Sequence, residues 1–488
     1  TRRGKGVKTM NYSMVMYIVG WILNFEAAFM LPSCLVAVIY QEKCGISFLI
    51  TMAAALVIGI PLTVRKPKNK DFHSREGFAS VALGWIVLSI VGAVPFVISG
   101  VIPNPVEALF EAVSGFTTTG SSVLTNVEVV PRCILFWRSF THWIGGMGVL
   151  VFIMAILPLS GGKNINLMRA ESPGPSVTKM TSKIKSTAKV LYQIYIVMTI
   201  IQIILLLIGK MPLFDALTIT FGTAGTGGFG IKNDSLAGYS PYLQYVVTTF
   251  MILFGVNFNF YFLLLLKKPI EALKSEEVRW YFGIIAAAVL VIFLYIRSSY
   301  PTAEEAFRHS AFQVGSIITT TGYATTDFNL WAQVPRTILV MLMFVGACAG
   351  STGGGIKVSR ILILGKTIRK ELNQLVHPTG VKKLQMDGRL ISHEVLRAAN
   401  VYMIIYILIF AFSVLLVGID DFDLVTNFTA VATTLNNVGP GLEMVGPTGN
   451  FSAFSNGTTL VMIFDMLAGR LELFPLLLLF HPGAWKKF

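Results

Sequence analysis

The chain has 488 residues, of which 54% are hydrophobic and 13% charged, with a formal charge of +14. Soluble domains carry roughly a quarter charged residues, so a soluble multidomain enzyme is excluded. Four cysteines without CxxC spacing exclude a disulfide scaffold or zinc ribbon, and six histidines without HxxxH or HExxH pairing argue against a histidine metal site.

A helix crosses the hydrocarbon with about 20 mostly apolar residues. In chain order, runs of this kind predict ten spans: 14–40, 47–64, 78–101, 133–159, 188–208, 242–266, 281–296, 337–364, 395–417 and 459–480. The first run is too long for the apolar part of a cleavable signal and lacks a small-residue cleavage site, so none is expected. Basic clusters precede span one and follow spans two, four, six, eight and ten, which puts most of the 39 Lys and Arg on one side. The positive-inside rule makes that side cytoplasmic, with both termini inside. Lipid thereby accounts for the basic excess, and no nucleic-acid partner is expected.

The outward connections are semi-apolar and repeat. They read NPVEALFEAVSGFTTTGSSV after span three, MPLFDALTITFGTAGTGGFG after span five, PTAEEAFRHSAFQVGSIITTTGY after span seven and DFDLVTNFTAVATTLNNVGPG after span nine. Each has an acidic start, about three turns of helical pattern, then a Thr/Asn segment with glycine. Glu107 precedes Gly120 by the same thirteen residues that separate Asp215 from Gly228. Repeats about a hundred residues apart signal internal pseudosymmetry. A helix too short to span must re-enter, and the non-helical backbone after it needs protein or water around it. Acids at its start favour the positive helix end, so the negative end points into the membrane. Four such ends aimed at one axis stabilise a cation, and extended segments supply carbonyls that replace its hydration shell.

The segments around Gly120, Gly228, Gly322 and Gly439, with GSTGGGIK at 350–357 and LAGRLELFP at 467–475, resemble the Trk/Ktr/HKT superfamily of potassium transporters, and within it the bacterial TrkH type. The resemblance covers nearly the whole chain. It implies an all-α polytopic fold: a two-helix leader (1–76), then four helix–pore-loop–helix repeats (77–162, 163–269, 270–370, 371–488) around one ion pore. It implies a K⁺-binding filter of Thr118, Thr119 and Gly120; Thr226, Gly227 and Gly228; Thr320, Thr321 and Gly322; and Asn437, Val438 and Gly439. Relatives that admit Na⁺ often carry Ser at the first glycine, so Gly120 implies K⁺ preference. Only Gly228-Phe229 and Gly322-Tyr323 keep the glycine–aromatic pair of strict K⁺ channels, which implies less strict selectivity.

Span eight carries Gly346, Gly350, Ser351, Thr352, Gly353, Gly354 and Gly355 within ten residues. Five glycines at about 1 kcal/mol each against Ala break a helix rather than merely pack it. The resemblance makes this segment an intramembrane gate loop. It lacks the Gly-Lys-Ser/Thr of a phosphate-binding loop, because Ile356 intervenes and Val358 follows Lys357. A charge inside span ten, Arg470, is functional by default. It is either a buried ion pair with Asp465 or Glu472 or, as the resemblance implies, a positive barrier below the filter.

Arg138 and His142 lie one turn apart and read as a structural pair. The Gly145–Gly148 segment and the pair Asn257 and Asn259 read as kinks or packing sites, and Phe and Trp as belt and lipid-facing residues. The function expected is K⁺ uptake driven by the membrane potential, with K⁺ as cargo, no organic cofactor and no enzymatic constellation. The alternatives are an ion-coupled secondary transporter, for which span-interior acids are scarce, or the channel-like subunit of a potassium-pumping ATPase. The resemblance further implies a homodimer in the bacterial cytoplasmic membrane. The basic segments 161–189 and 366–397 are expected to meet its cytosolic partner, a TrkA-like ring of nucleotide-binding regulatory subunits.

Overall fold

The computed structural model describes residues 10–67, 74–156, 184–378 and 383–485. The first basic cluster, most of 161–189, part of 366–397 and the last two lysines, to which charge or partner roles were given above, lie outside them. In chain order the helices are α1 (Tyr12–Ile39), α2 (Gly45–Val64), α3 (Ser74–Ile98), α4 (Pro105–Phe116), α5 (Arg132–Ile156) and α6 (Ile184–Ile208). They continue with α7 (Leu213–Gly225), α8 (Pro241–Phe254), α9 (Phe258–Leu265), α10 (Glu276–Ile296), α11 (Ala303–Ile318) and α12 (Gln333–Phe344), leaving aside one-turn pieces. The last are α13 (Val358–Val376), α14 (His393–Val417), α15 (Leu424–Asn436), α16 (Asn456–Arg470) and α17 (Phe474–Phe480). The only sheet among the described residues is a hairpin of two-residue strands, Gln385–Met386 with Arg389–Leu390.

Among the described residues six helices are long and apolar enough to cross a membrane, or seven with α8 and α9 taken as one span. Three of the expected spans are interrupted at the helices that return from the short ones. α8 and α9 meet at 90°, where Asn257 caps α9 by accepting the N–H of Asn259 at 2.9 Å. The 337–364 run stops at Phe344 and resumes at Val358. The 459–480 run breaks after Arg470, where Glu472 and Leu473 both have positive φ. α5 alone runs on through its glycines, so Gly145 is a packing site and not a kink: a Cβ there would lie 1.9 Å from the carbonyl of Phe116.

The four short helices, α4, α7, α11 and α15, have 12 to 16 residues and do not reach across a bilayer. Their starts are marked by local chemistry. The side chains of Asn104, Thr302 and Asp423 accept from the first free N–H groups, and Glu107, Asp215 and Glu304 occupy first turns. The hydroxyl and N–H of Thr426 hold the Asp423 carboxyl below its usual range, which keeps it charged beside the positive helix end. The helix ends lie in a core that corrects the lipid-facing reading for part of the aromatics: Trp137, Phe116 and Phe229 are fully buried, whereas Trp280, Phe282 and Phe412 are exposed.

Candidate functional site

Each short helix stops in the same way. The N–H groups of Thr119, Gly227, Thr321 and Val438 donate back to the carbonyls of Ser114, Gly222, Ser316 and Thr433 at 2.8–2.9 Å. The residues just before them, Thr118, Thr226, Thr320 and Asn437, donate to Gly115, Thr223, Ile317 and Thr434. That pair of bonds is a Schellman stop, which requires a left-handed residue where glycine is usual. Here the residue is Thr three times and Asn once, all at φ of 56–58°. A β-branched residue in that region is strained, and such strain concentrates at functional sites. Two residues on, Gly120, Gly228, Gly322 and Gly439 return to positive φ, between 79° and 103°. Alternation of this kind turns successive carbonyls to one side of the strand.

The glycines also show how the strands meet. A Cβ on Gly120 would lie 2.0 Å from the carbonyl oxygen of Gly227, and one on Gly228 1.9 Å from that of Thr321. A Cβ on Gly322 would lie 2.3 Å from the carbonyl of Val438, and one on Gly439 2.8 Å from that of Thr119. Each glycine therefore abuts the carbonyl that precedes the glycine of the next repeat, and the fourth abuts the first. The four segments close one ring in chain order, joined at the carbonyls of Thr119, Gly227, Thr321 and Val438. All twelve residues expected in the filter are brought together here. Hydroxyls and amides brace them: Asn437 Nδ2 donates to Thr119 Oγ1 at 2.9 Å, and Ser121 donates to the carbonyl of Gly439 at 3.0 Å.

Behind the second strand stand Arg138 and His142. The N–H of Phe229 donates to His142 Nε2 at 3.2 Å, so Nδ1 carries the proton and donates to the carbonyl of Gly115 at 2.8 Å. Arg138 pairs with Glu111 at 2.7 Å, with both side chains buried, and its guanidinium lies 3.9 Å over the Phe229 ring. Glu111 also accepts from Ser122 and the N–H of Val123. Removing one partner of a buried pair costs about 3–5 kcal/mol; Arg138 pairs with Glu111 rather than with His142, and the three side chains together brace the first and second strands. Glu111 was missed by sequence reasoning. Behind the third strand Tyr323 donates to the carbonyl of Ile219 at 3.1 Å. Both glycine–aromatic pairs are thus wedges between neighbouring repeats.

The glycine-rich segment lies under this ring. Gly354 donates its N–H to Thr320 Oγ1 at 2.7 Å, and a Cβ on Gly353 would stand 3.0 Å from the carbonyl of Thr319. Its ends are pinned to each other by the N–H of Gly346 on the carbonyl of Ile356 at 2.8 Å. Its flanks are held by Glu277, whose Oε1 accepts from Ala349 at 2.7 Å and Ser359 at 3.1 Å. Lys357, buried, donates to the carbonyls of Gly353 and Gly354. Arg470 bridges the loop to the first repeat: Nη1 donates to the carbonyl of Thr352 at 2.9 Å, and Nη2 to that of Gly145 at 2.8 Å. Glu472 is engaged by Arg360, and Asp465 accepts from Ser413 at 2.7 Å. Glu277 had no role in the sequence reading, and Lys357 entered it only as the end of the GSTGGGIK motif and as a basic residue.

Fold and site together define an all-α polytopic membrane protein in which four re-entrant segments surround one axis. The chain belongs to the TrkH family, whose model, described as a cation transport protein, matches residues 45–486; it is a family of transporters and not of enzymes. The chain is 38% identical to the Trk system potassium uptake protein TrkH of Salmonella typhimurium and 37% identical to that of Escherichia coli K12, each time over 98% of this chain and all of the relative. It is 32% identical to the Trk system potassium uptake protein TrkG of Escherichia coli K12, over 98% of this chain. The crystal structure of the potassium transporter TrkH from Vibrio parahaemolyticus superposes with a TM-score of 0.87 at 34% identity, covering 98% of this chain and 100% of that one.

Proposed function

We propose that this protein takes up K⁺ across the cytoplasmic membrane along the axis of the carbonyl ring, with the 346–355 loop as its gate. The closed cycle of four glycine–carbonyl contacts carries the reading. A ring of backbone oxygens at the negative ends of four helices replaces the hydration shell of a cation without a net protein charge. The twelve residues from Thr118 to Gly439 named above are the proposed K⁺ ligands. The membrane potential drives entry, at about 2.3 kcal/mol per charge per 100 mV. Glu111, the buried carboxyl that braces the first strand, is held by Arg138 and by backbone, which favours passive uptake over a carrier coupled through a titrating acid there. The finer parts of the proposal are a homodimer, a cytosolic nucleotide-binding regulatory subunit and both termini in the cytoplasm. The test is ⁸⁶Rb⁺ uptake by liposomes holding the purified protein, with competing K⁺ and Na⁺. Block by K⁺ at far lower concentration than by Na⁺ is expected, and equal block would end the reading.

Arg470 is proposed to latch the gate. Hydrogen bonds from a charged donor contribute roughly 1.5–3 kcal/mol each, and Arg470→Ala removes two that join the loop to α5. Basal K⁺ flux is expected to rise at least tenfold in the variant, with little change in the melting temperature. A purely structural arginine would instead reduce folded protein and leave the flux per molecule unchanged.

A further inference from the structure

We infer that Cys44 and Cys133 form a disulfide that staples the α1–α2 connection to the first turn of α5. Their sulfurs lie 2.7 Å apart. That is far inside the contact distance of two free sulfurs, such as Cys34 and Met52 at 3.7 Å, and approaches the roughly 2.05 Å of an S–S bond. The pair is brought together by Glu42, whose two carboxylate oxygens accept the N–H groups of Arg132 at 2.7 Å and Cys133 at 2.8 Å. Glu42, Cys44 and Cys133 also converge closely enough to hold a metal ion. Both oxygens of Glu42 are already engaged by backbone at the start of α5, however, which favours an S–S bond over three-ligand coordination.

The inference rests on the inside-positive orientation proposed above, which puts both connections on the outer face, where disulfides form and persist. Cys44 is half-buried and Cys133 fully buried, and this sets the order of events. The Cys44 thiolate attacks an external disulfide, of a protein or a small molecule, breaks its S–S bond and releases one thiol. Cys133 then displaces the second thiol from the mixed disulfide and closes the S–S bond. Two electrons pass to the external disulfide, which leaves as two thiols carrying the two protons.

The experiment is thiol mapping on protein purified from membranes without reductant. Of the four cysteines, Cys34 and Cys348 are expected to alkylate in denaturant before reduction, and Cys44 and Cys133 only afterwards. Cys133→Ser should leave Cys44 open to a mixed disulfide with oxidised glutathione, whereas Cys44→Ser should leave Cys133 unmodified in the folded protein. Reduction should lower the melting temperature of the wild type but not of Cys44→Ser. Alkylation of all four without reduction overturns the inference, as does release of the two thiols by a chelator alone. After mild reduction, a membrane-impermeant maleimide on intact cells should reach Cys44. Free thiols with outside labelling reject only the disulfide, while no outside labelling rejects the orientation and the disulfide with it.

Discussion

Deleting Ser351–Gly354 is expected to raise basal K⁺ flux at least tenfold, above even Arg470→Ala, and to make it nearly insensitive to any cytosolic regulator. The deletion removes the Thr352 carbonyl that Arg470 holds, the Gly354 N–H that reaches Thr320 and the carbonyls that hold Lys357. It spares the anchors at Ala349 and Ser359, both on Glu277, so the flanking helices keep their attachments. A tenfold rise corresponds to about 1.4 kcal/mol in the balance of closed and open loop, less than two hydrogen bonds from charged donors supply together. Flux and thermal stability are read together on the same liposome preparation. Stable protein with low flux and intact regulation would return the segment to helix packing.

Gly120→Ser is expected to weaken discrimination of K⁺ from Na⁺ by about tenfold, the second large effect. The new Cβ would stand 2.0 Å from the carbonyl oxygen of Gly227, at a φ of 85°. That oxygen belongs to the ring and to the neighbouring repeat, so it must move outward and the ring loses its fourfold match to one ion. Gly100→Ser is the control: its φ is 74°, but nothing stands within 4 Å of the added Cβ. Backbone strain alone should therefore leave selectivity unchanged and cost roughly 1 kcal/mol of stability. The measurement is the ratio of K⁺ to Na⁺ concentrations that halve ⁸⁶Rb⁺ uptake. Equal ratios in Gly120→Ser and wild type would remove the first repeat from the proposed filter.

Local features of the sequence determine much of this protein. Apolar runs mark its spans, and short helices with acidic starts followed by Thr and Gly mark its re-entrant segments. The five glycines at 346–355 forbid a continuous helix whatever surrounds them. These are properties of consecutive residues, because helix propensity, burial periodicity and capping act within a few residues of the chain. Contacts between repeats were not legible in the same way. That Gly120 meets Gly227 and that Arg470 reaches Gly145, 325 residues earlier, depends on how four units pack around an axis; that Glu111 meets an arginine 27 positions away depends on how two helices fold together within the first. The break at Glu472 belongs with them, since the apolar pattern runs on through it; at Asn257 the polar pair left a kink or a packing site open, and the fold decided for the kink. Composition and period specify which face of an element is buried. The partner it is buried against is selected by the whole fold.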